Sequence, residues 1–473
     1  MKSQCSLIPS RFSLLRRIAA LLAVIPLIAL TSCGSDSSTP PPPTATTAVQ
    51  INLGDAPSQW MLAFSMKVSS MSLIGNSTSV PVNGLSIPFE MIHRMGTMEP
   101  IAIASIPQGT YTGASVTVAS CKVTYMDPVT KTLKQKTLTG PFSASVQFPS
   151  SVTVGTTPYA FNFDLDLEHS LTVDNSGNFQ FSPQFHFSNG KQGTGSNSDA
   201  RYGGVQQMMG VVSGVSNTLL SVIPLQTTHA FTFSLNAQTQ FRGTVQSREM
   251  LQTGMGVIVN ATLQSDGTLL ATRVTTRMNS GGIMGGGIIT EVTGQPATEL
   301  TLVMQNGAGA SLMSDYLSEQ VTIGLLSTTK YEIDDDRIDL SSLPIEPVFD
   351  ASNIYAGQSV LPIGEDGIAI SGTDGATIGT ITAAEVRLQE QGFRGTTDVA
   401  ITPGTSQNFV LTLLPECAFT TLTGAESIVV YQLTGTNVED DTAIPAGATL
   451  RVHGLLFKNA GQWTLIASRI ASS

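Results

Sequence analysis

Strict alternation of apolar and polar residues is the sequence feature that most constrains the fold of this chain. Across residues 161–168 the odd positions carry Phe or Leu and the even positions carry Asn, Asp or Glu. Because successive side chains of a β-strand point to opposite faces, this pattern predicts a strand with one buried and one solvated face. Charged residues make up only 12% of the chain, and no long Lys- and Glu-rich periodic segment predicts a helix. The sequence therefore predicts an all-β protein.

The N-terminal segment predicts export from the cytoplasm. Four basic residues and no acidic residue accompany a thirteen-residue apolar run at 18–30. A permanent membrane-spanning helix needs about 20 apolar residues, so this run is too short. A basic flank, a short apolar run and small residues at its end are typical of a signal peptide.

The apolar run ends in a recognisable motif, Leu30-Thr31-Ser32-Cys33. This tetrapeptide resembles the lipobox of bacterial lipoproteins, which implies that Cys33 is lipidated and becomes the first residue of the mature chain. Each buried methylene adds about 0.8 kcal/mol of membrane binding, so two or three acyl chains give a lasting anchor. By the same resemblance, Gly34 implies the outer membrane. A chance cysteine behind an ordinary signal peptide stays open as the alternative.

The charge of the mature chain argues against nucleic acid as a partner. Removing the four basic residues of the leader leaves 19 basic against 34 acidic residues, a net charge of −15. Binding to phosphates needs a concentrated basic surface. The sequence also contains no Cys-x-x-Cys or His-x-x-x-His spacing, so neither a structural zinc site nor any other cofactor is predicted.

Residues 48–190 carry the motifs of one predicted domain. An Asp-Ala-Pro sequence lies at 55–57, a Pro-x-Gly-x-Tyr turn at 107–111 and an Asp-x-Asp strand at 163–166. These motifs resemble a bacterial domain of unknown function that is common in secreted and lipid-anchored proteins. The resemblance implies a β-sandwich and no established activity.

After a linker rich in Gly, Ser and Asn, three ordered marks recur three times, which is the signature of a repeat architecture. The first mark is a Leu with Thr or Cys four residues later and an aromatic residue six later; Gly-x-x-[Val/Leu] and Ala-x-x-[Val/Ile] follow. The pattern resembles a second domain of unknown function, a small β-barrel-like repeat of secreted bacterial proteins. The marks are Leu235/Thr239/Phe241, Gly254/Val257 and Ala271/Val274, then Leu325/Thr329/Tyr331, Gly357/Val360 and Ala383/Val386, then Leu413/Cys417/Phe419, Gly447/Leu450 and Ala467/Ile470.

The predicted architecture is an N-terminal β-sandwich followed by three small β-barrel-like repeat units. The segments are a lipoprotein signal peptide (1–32), a Ser/Thr/Pro tether (33–47), the β-sandwich domain (48–190), a linker (191–208) and repeat units at 209–278, 285–391 and 392–473.

Two clusters could bind metals, and each has a simpler interpretation that we prefer. Asp164, Asp166 and Glu168 share the polar face of one predicted strand, where oxygen ligands could hold Ca²⁺, but solvation explains them as well. The stretch 91–98 contains three Met and one His, which suit Cu(I), although Met is also ordinary core filler. No metal site is therefore predicted.

The mature chain retains Cys121 and Cys417 besides the lipidated cysteine. An oxidising compartment permits a disulfide between them without requiring one, so two buried free thiols and a bridge both stay open. The repeat pattern places Cys417 on the core face of a strand, which favours a packing role.

The sequence contains no motif of a hydrolytic enzyme. Gly-x-Ser-x-Gly, His-Glu-x-x-His and Ser-x-x-Lys with its partners are all missing, so we expect no catalytic residue and no enzyme. The expected role is non-catalytic binding or scaffolding, with a protein or glycan ligand. A glycan-binding surface module is the alternative, with Trp60 and Tyr111 as candidate platforms. An uncharacterised hydrolase with paired carboxylates comes third.

Replacing Cys33 by Ser tests the predicted anchor. Without the thiol there is no acceptor for the lipid, so we expect Cys33→Ser to lose incorporation of labelled palmitate and to leave the membrane fraction. The matched control is Cys5→Ser, which removes a leader cysteine and keeps Cys33. Undiminished labelling of Cys33→Ser, or a mature chain that begins at another residue by mass analysis, would contradict the prediction.

Overall fold

A computed structural model describes residues 45–472, except 57–58, 76–78, 84, 86–87, 95–97, 128, 175–176, 192–201, 226, 228, 281, 309–315, 336, 344, 365–378 and 440–441. The predicted signal peptide, Cys33 and most of the tether lie outside the described residues, as do Pro57 and Met95. The all-β prediction is confirmed, since the described chain is mostly strand. The helices within it are short, α1 at Leu167–Ser170 and α2 at Ala418–Thr423.

The N-terminal module consists of two sheets that share one hydrophobic core, the arrangement expected of a β-sandwich. One sheet has the order β11-β8-β1-β5; the other has the order β3-β2-β6-β7, with β4 also paired to β2 and a separate pair β9-β10. The strands are β1 Thr46–Ala56, β2 Met61–Gly75, β3 Ser79–Pro81, β4 Pro88–Glu90, β5 Met98–Pro107, β6 Gly109–Met126, β7 Leu133–Val154, β8 Tyr159–Asp166, β9 Leu171–Val173, β10 Phe179–Phe181 and β11 Phe185–Lys191.

The alternating segment of the sequence forms the central strand β8. Its partners are β1, in parallel, and β11, antiparallel. Phe161, Phe163 and Leu165 are each at most 1% exposed and join the core. The predicted alternation therefore gives the correct buried face.

Three repeat units follow, which we call units 1, 2 and 3. Unit 1 contains β12 Val205–Val215, β13 Leu219–Pro224, β14 Phe231–Ser234, β15 Gln240–Gly243, β16 Gly256–Leu263 and β17 Leu269–Met278. Unit 2 contains β18 Ile283–Thr293, β19 Glu299–Ala308, β20 Gln320–Ile333, β21 Ser359–Gly364 and β22 Gly379–Leu388. Unit 3 contains β23 Glu390–Thr397, β24 Gln407–Leu413, β25 Ser427–Val438, β26 Thr449–Asn459 and β27 Gln462–Ser472.

The three units share one strand topology. In units 2 and 3 the first strand pairs with the second and the fourth, and the third strand runs parallel to the last, which closes a five-stranded barrel. In unit 1 the third strand is split into β14 and β15, and both pair in parallel with β17. This order is that of five-stranded Greek-key barrels such as the OB-fold. Unit 1 begins at Val205, before the predicted residue 209, and unit 3 begins at Glu390, before the predicted residue 392.

The predicted glycine mark corresponds to a tight turn before the fourth strand of each unit. The three glycines have φ of +89°, +98° and +80°, a region that is strained for residues with a Cβ. Each donates its backbone N–H to a carbonyl of the first strand of its own unit, at 2.8, 2.8 and 2.9 Å. In chain order these glycines are Gly254, Gly357 and Gly447.

A buried threonine joins the third strand region of each unit to the last strand. Its Oγ1 accepts a backbone N–H from three residues earlier and donates to an alanine carbonyl, so one side chain satisfies two backbone groups. The alanines are those of the predicted closing mark. The pairs are Thr239 with Ala271 at 2.8 Å, Thr329 with Ala383 at 2.7 Å and Thr436 with Ala467 at 2.8 Å.

The predicted first mark of the third unit, Leu413/Cys417/Phe419, is wrong. Leu413 ends β24, Glu416 turns the chain with a φ of +64°, and Cys417 precedes helix α2 instead of lying on a strand. The structural equivalent of the threonine is Thr436, on β25. The residue types match the predicted mark by chance, because a strand end followed by a turn and a helix start can show the same residue spacing as a strand.

Replacing Thr436 by Val tests the repeated bond. Valine has nearly the same shape but neither accepts nor donates, so two buried backbone groups lose their partner, at about 1–3 kcal/mol per unsatisfied group. We expect the urea midpoint of Thr436→Val to fall clearly below that of Thr412→Val, an exposed β24 position in the same unit. Equal midpoints for the two variants would show that the bond does not stabilise the barrel.

Candidate functional site

A cavity of about 300 Å³ lies where the N-terminal module meets all three repeat units. Residues 44–473 form one compact unit, so its walls belong to a single folded body. Apolar side chains from every module line it, among them Leu62, Met209, Ile288 and Phe393. A cavity of a few hundred Å³ that combines apolar side chains with placed polar groups is typical of small-molecule sites.

Glu90 organises the part of the wall that the N-terminal module contributes. Its side chain is fully buried, and Oε1 accepts the backbone N–H groups of Phe64 at 2.9 Å and Ile92 at 3.0 Å. Oε2 accepts the backbone N–H of His93 at 2.9 Å and lies 2.8 Å from its Nδ1. These bonds fix the 3-10 turn Ile92–Arg94 and aim the imidazole at the cavity.

Glu99, on β5, completes this cluster. Its Oε1 lies 3.2 Å from His93 Nε2 and its Oε2 lies 2.8 Å from Arg94 Nη1. Burial alone would raise the pKa of Glu99, but the charges of Arg94 and His93 hold it at about 2. For His93, burial opposes the charged ring, yet Glu99 and the hydrogen bond to Glu90 raise its pKa.

Glu390 forms a second centre, at the start of unit 3. Its Oε2 lies 2.8 Å from His453 Nδ1, accepts the hydroxyl of Ser468 at 2.6 Å and lies 3.8 Å from Arg337 Nη1. Burial would raise the pKa of Glu390, but these neighbours hold it at about 2. Because Ser468 and His453 bind the same carboxylate oxygen, the ring is not placed to deprotonate the hydroxyl.

A third centre joins the N-terminal module to unit 3. Glu439 lies 2.9 Å from the guanidinium of Arg469 and 4.0 Å from that of Arg451. Asp164, on β8, lines the same region. Burial raises the pKa of Asp164 to about 6, and Asp166 and Glu439 add to the rise against the opposing charge of Arg451.

A buried ion pair joins unit 1 to unit 2 at the cavity wall. Arg277 Nη2 lies 3.0 Å from Asp334 Oδ1, with the two side chains 7% and 10% exposed. Gln389 donates to the other carboxylate oxygen at 3.0 Å. The charged groups around the cavity therefore connect neighbouring modules as well as lining the space.

The three acidic residues predicted to share one strand face have different surroundings in the structure. Asp164 lines the cavity, and Asp166 instead caps α1 by accepting the backbone N–H of His169 at 3.1 Å. Glu168 lies in α1 and pairs with Arg394 of unit 3. The prediction of a shared strand face is wrong for Glu168, because β8 ends at Asp166.

The stretch 91–98 divides between the core and the cavity. Met91 is fully buried in the hydrophobic core, whereas Met98 and His93 line the cavity. Within the described ranges, no group of three His, Cys, Asp or Glu is arranged to hold a metal ion.

The candidate sugar platforms have packing roles. Trp60 is half-buried, with its ring 5.8 Å from that of Tyr125 and 6.0 Å from that of Phe179. Tyr111 is 2% exposed, and its hydroxyl donates to a backbone carbonyl at 2.7 Å. The second tryptophan of the chain, Trp463, is 6% exposed.

Cys121 and Cys417 are free and buried, so the disulfide alternative does not hold in this structure. Burial raises the pKa of Cys121 to about 12 and also raises that of Cys417. Since the thiolate is the reactive form, burial keeps both thiols unreactive. Both are packing residues; Cys417 is buried as expected, but it lies before helix α2 and not on the core face of a strand.

Sequence reasoning missed most of the charged residues that line the cavity. Arg337, Glu390 and Arg451 belong to no motif, and His453 follows Glu390 by 63 positions. The described wall contains four arginines and no lysine. Arginine is the preferred cation in buried ion pairs and in recognition of carboxylates.

The comparisons with known proteins concern mainly unit 1. A family model described as a domain of unknown function (DUF5666) matches residues 209–275. This match confirms the predicted resemblance of the first repeat unit to such a domain. The comparison with curated proteins finds no match. In the part of the chain that the structure describes, no helix has the length and apolarity that crossing a membrane requires.

Replacing Glu99 by Gln tests the charged cluster through its pH dependence. A pKa of about 2, against 4.5 for the unperturbed group, stabilises the fold above pH 4.5, and this contribution disappears as pH falls towards 2. The shift corresponds to about 3 kcal/mol at 1.36 kcal/mol per pKa unit. We expect Glu99→Gln to lower the unfolding free energy at pH 7 and to flatten its fall between pH 5 and 2.

Glu346→Gln, at an exposed loop position, is the matched control and should leave both quantities unchanged. A pH profile of Glu99→Gln that parallels the wild type would contradict the assignment of this acid limb to Glu99.

Proposed function

We propose that this chain is a lipid-anchored protein of the cell envelope, held at the outer membrane through Cys33, with a non-catalytic binding or scaffold role. The leader, the lipobox resemblance and the tether support the location. The net charge of −15 for the mature chain argues against nucleic acid as a partner. The ligand site in this proposal is the cavity between the four modules.

The observation that carries the binding role is a cavity in which fixed charges of both signs alternate with apolar side chains. Apolar walls supply burial, and a few placed polar groups supply orientation and specificity. Ser468, beside the cavity, donates its hydroxyl to Glu390, and burial raises the pKa of the Cys417 thiol in the wall. This arrangement favours holding a ligand over transforming it.

Direct bonds between modules keep the cavity open and its shape constant. Gln305 of unit 2 donates to the carbonyl of Leu62 at 2.7 Å, and Gln358 of unit 2 donates to the carbonyl of Leu456 at 2.9 Å. Walls that are fixed before binding reduce the entropy cost of binding. A preformed site of this kind suits a binding protein.

A cavity-filling substitution tests the proposal. Ser188 lies at the cavity wall with an exposed side chain, so Ser188→Trp should narrow the space; the substitution also removes the hydroxyl to which Asn162 donates at 3.3 Å. We expect the full chain, purified in detergent, to melt at a higher temperature with at least one member of a panel of amino acids, dipeptides and mono- and disaccharides. A ligand at 100 times its Kd stabilises by about 2.7 kcal/mol. Ser188→Trp should lose this shift.

Ser143→Trp, on the exposed face of β7, is the matched control and should keep the shift. If no compound of the panel raises the melting temperature, or if the increase persists in Ser188→Trp, the cavity is not the ligand site.

A further inference from the structure

The two carboxylate oxygens of Glu390 differ in their hydrogen bonding among the described residues. The side chain is only 7% exposed, and Oε2 takes the contacts from His453 and Ser468. Oε1 is buried and has no hydrogen-bond partner among the described residues. A buried charged acceptor without a partner is strongly unfavourable, and Glu390 lines the cavity. The wall therefore offers an acceptor for a cationic or hydrogen-bonding ligand group.

Two arginines of the wall lie near acidic residues without a direct hydrogen bond to them among the described residues. Arg337 comes no closer than 3.8 Å to Glu390, and Arg451 no closer than 4.0 Å to Glu439, both beyond hydrogen-bond length. In addition, Arg451 Nε is buried without a partner in the described part of the chain. A guanidinium presents five N–H donors in a planar fork that matches a carboxylate. The same cavity therefore offers a site for an anionic group.

Gln59, at another part of the wall, supplies neutral polar groups. Both its Nε2 and its Oε1 are buried and unpaired with any described residue. A carboxamide with both atoms unused can donate to and accept from one ligand amide.

The charge of the wall selects a ligand with balanced charges. Its described residues include four arginines and five acidic side chains, so the formal charges nearly cancel. A ligand with one net charge would bring an uncompensated charge into a partly buried space, which is costly. A ligand with one positive and one negative group leaves the balance unchanged.

We propose that the cavity binds a small zwitterion that carries an amine and a carboxylate, of the class of free amino acids and short peptides. The amine lies against Oε1 of Glu390, and the carboxylate lies against the guanidinium of Arg451. For a peptide, Gln59 pairs with the amide. This inference rests on the proposed function, because it names the ligand class of the same cavity.

The test uses the full chain in detergent and isothermal titration calorimetry with dialanine. Its analogues are N-acetyl-dialanine, which lacks the amine, and dialanine amide, which lacks the carboxylate; free alanine and glucose complete the set. We expect dialanine or alanine to bind, and loss of either charged group to weaken binding at least tenfold.

Variants assign each group to its partner. Glu390→Gln should weaken dialanine at least tenfold and leave N-acetyl-dialanine unchanged, whereas Arg451→Gln should weaken dialanine and leave dialanine amide unchanged. Arg248→Gln, at a half-buried arginine of unit 1 outside the cavity, is the control and should bind as the wild type does. Circular dichroism and the ligand-free melting temperature establish that each variant is folded, and Arg451→Gln carries the test if Glu390→Gln is not.

The outcomes separate this inference from the proposed function. Binding of glucose without binding of the zwitterions would overturn the ligand class and keep the cavity as a binding site. Equal affinity for dialanine and its blocked analogues would also overturn the ligand class. If no member of this set or of the wider panel binds, both the ligand class and the binding role fall.

Discussion

Buried carboxylates need partners, and this requirement holds the modules of the protein in one arrangement. Glu90 is fully buried and accepts backbone and imidazole N–H groups from its own module. The cluster continues through His93 to Glu99, whose charge also interacts with Arg337 of unit 2, which in turn lies near Glu390 of unit 3. Removing charges from water costs several kcal/mol per ion unless partners compensate it. The docking seen here is one in which these carboxylates have partners, and the cavity lies between the docked modules.

The three repeat units have the same barrel topology but different side chains where they contact neighbouring modules. Each is closed by the same two devices, a glycine with positive φ before the fourth strand and a threonine that bonds the last strand, and both act inside the unit. Side chains at the borders are free of this constraint and differ from unit to unit. Arg277 of unit 1 pairs with Asp334 of unit 2, whereas unit 3 contributes Glu390 and Arg451 to the cavity. The closing bonds are the same in the three units, whereas the side chains at the contacts between units differ. Three similar barrels therefore form one asymmetric site.

The cavity combines groups that are satisfied with groups that are not. His93, Arg94 and Glu99 are bonded to one another and form a rigid wall. Oε1 of Glu390 and both side-chain atoms of Gln59 lack partners among the residues described. Native proteins rarely leave buried polar groups unpaired, and exceptions need an explanation. A ligand that supplies the missing partners explains them, and the satisfied neighbours keep the open groups in place.

The sequence by itself determined the local structure. Alternation at 161–168 identified a strand and its buried face, and the glycine and alanine marks located the turns and closing strands of three units, because both depend on neighbouring residues. It failed where a helix start reproduced the spacing of a strand, at Cys417. The site was decided by the tertiary structure alone. Glu390, His453 and Arg337 meet through barrel closure and module docking, and long-range contacts of this kind leave no periodic pattern in the chain.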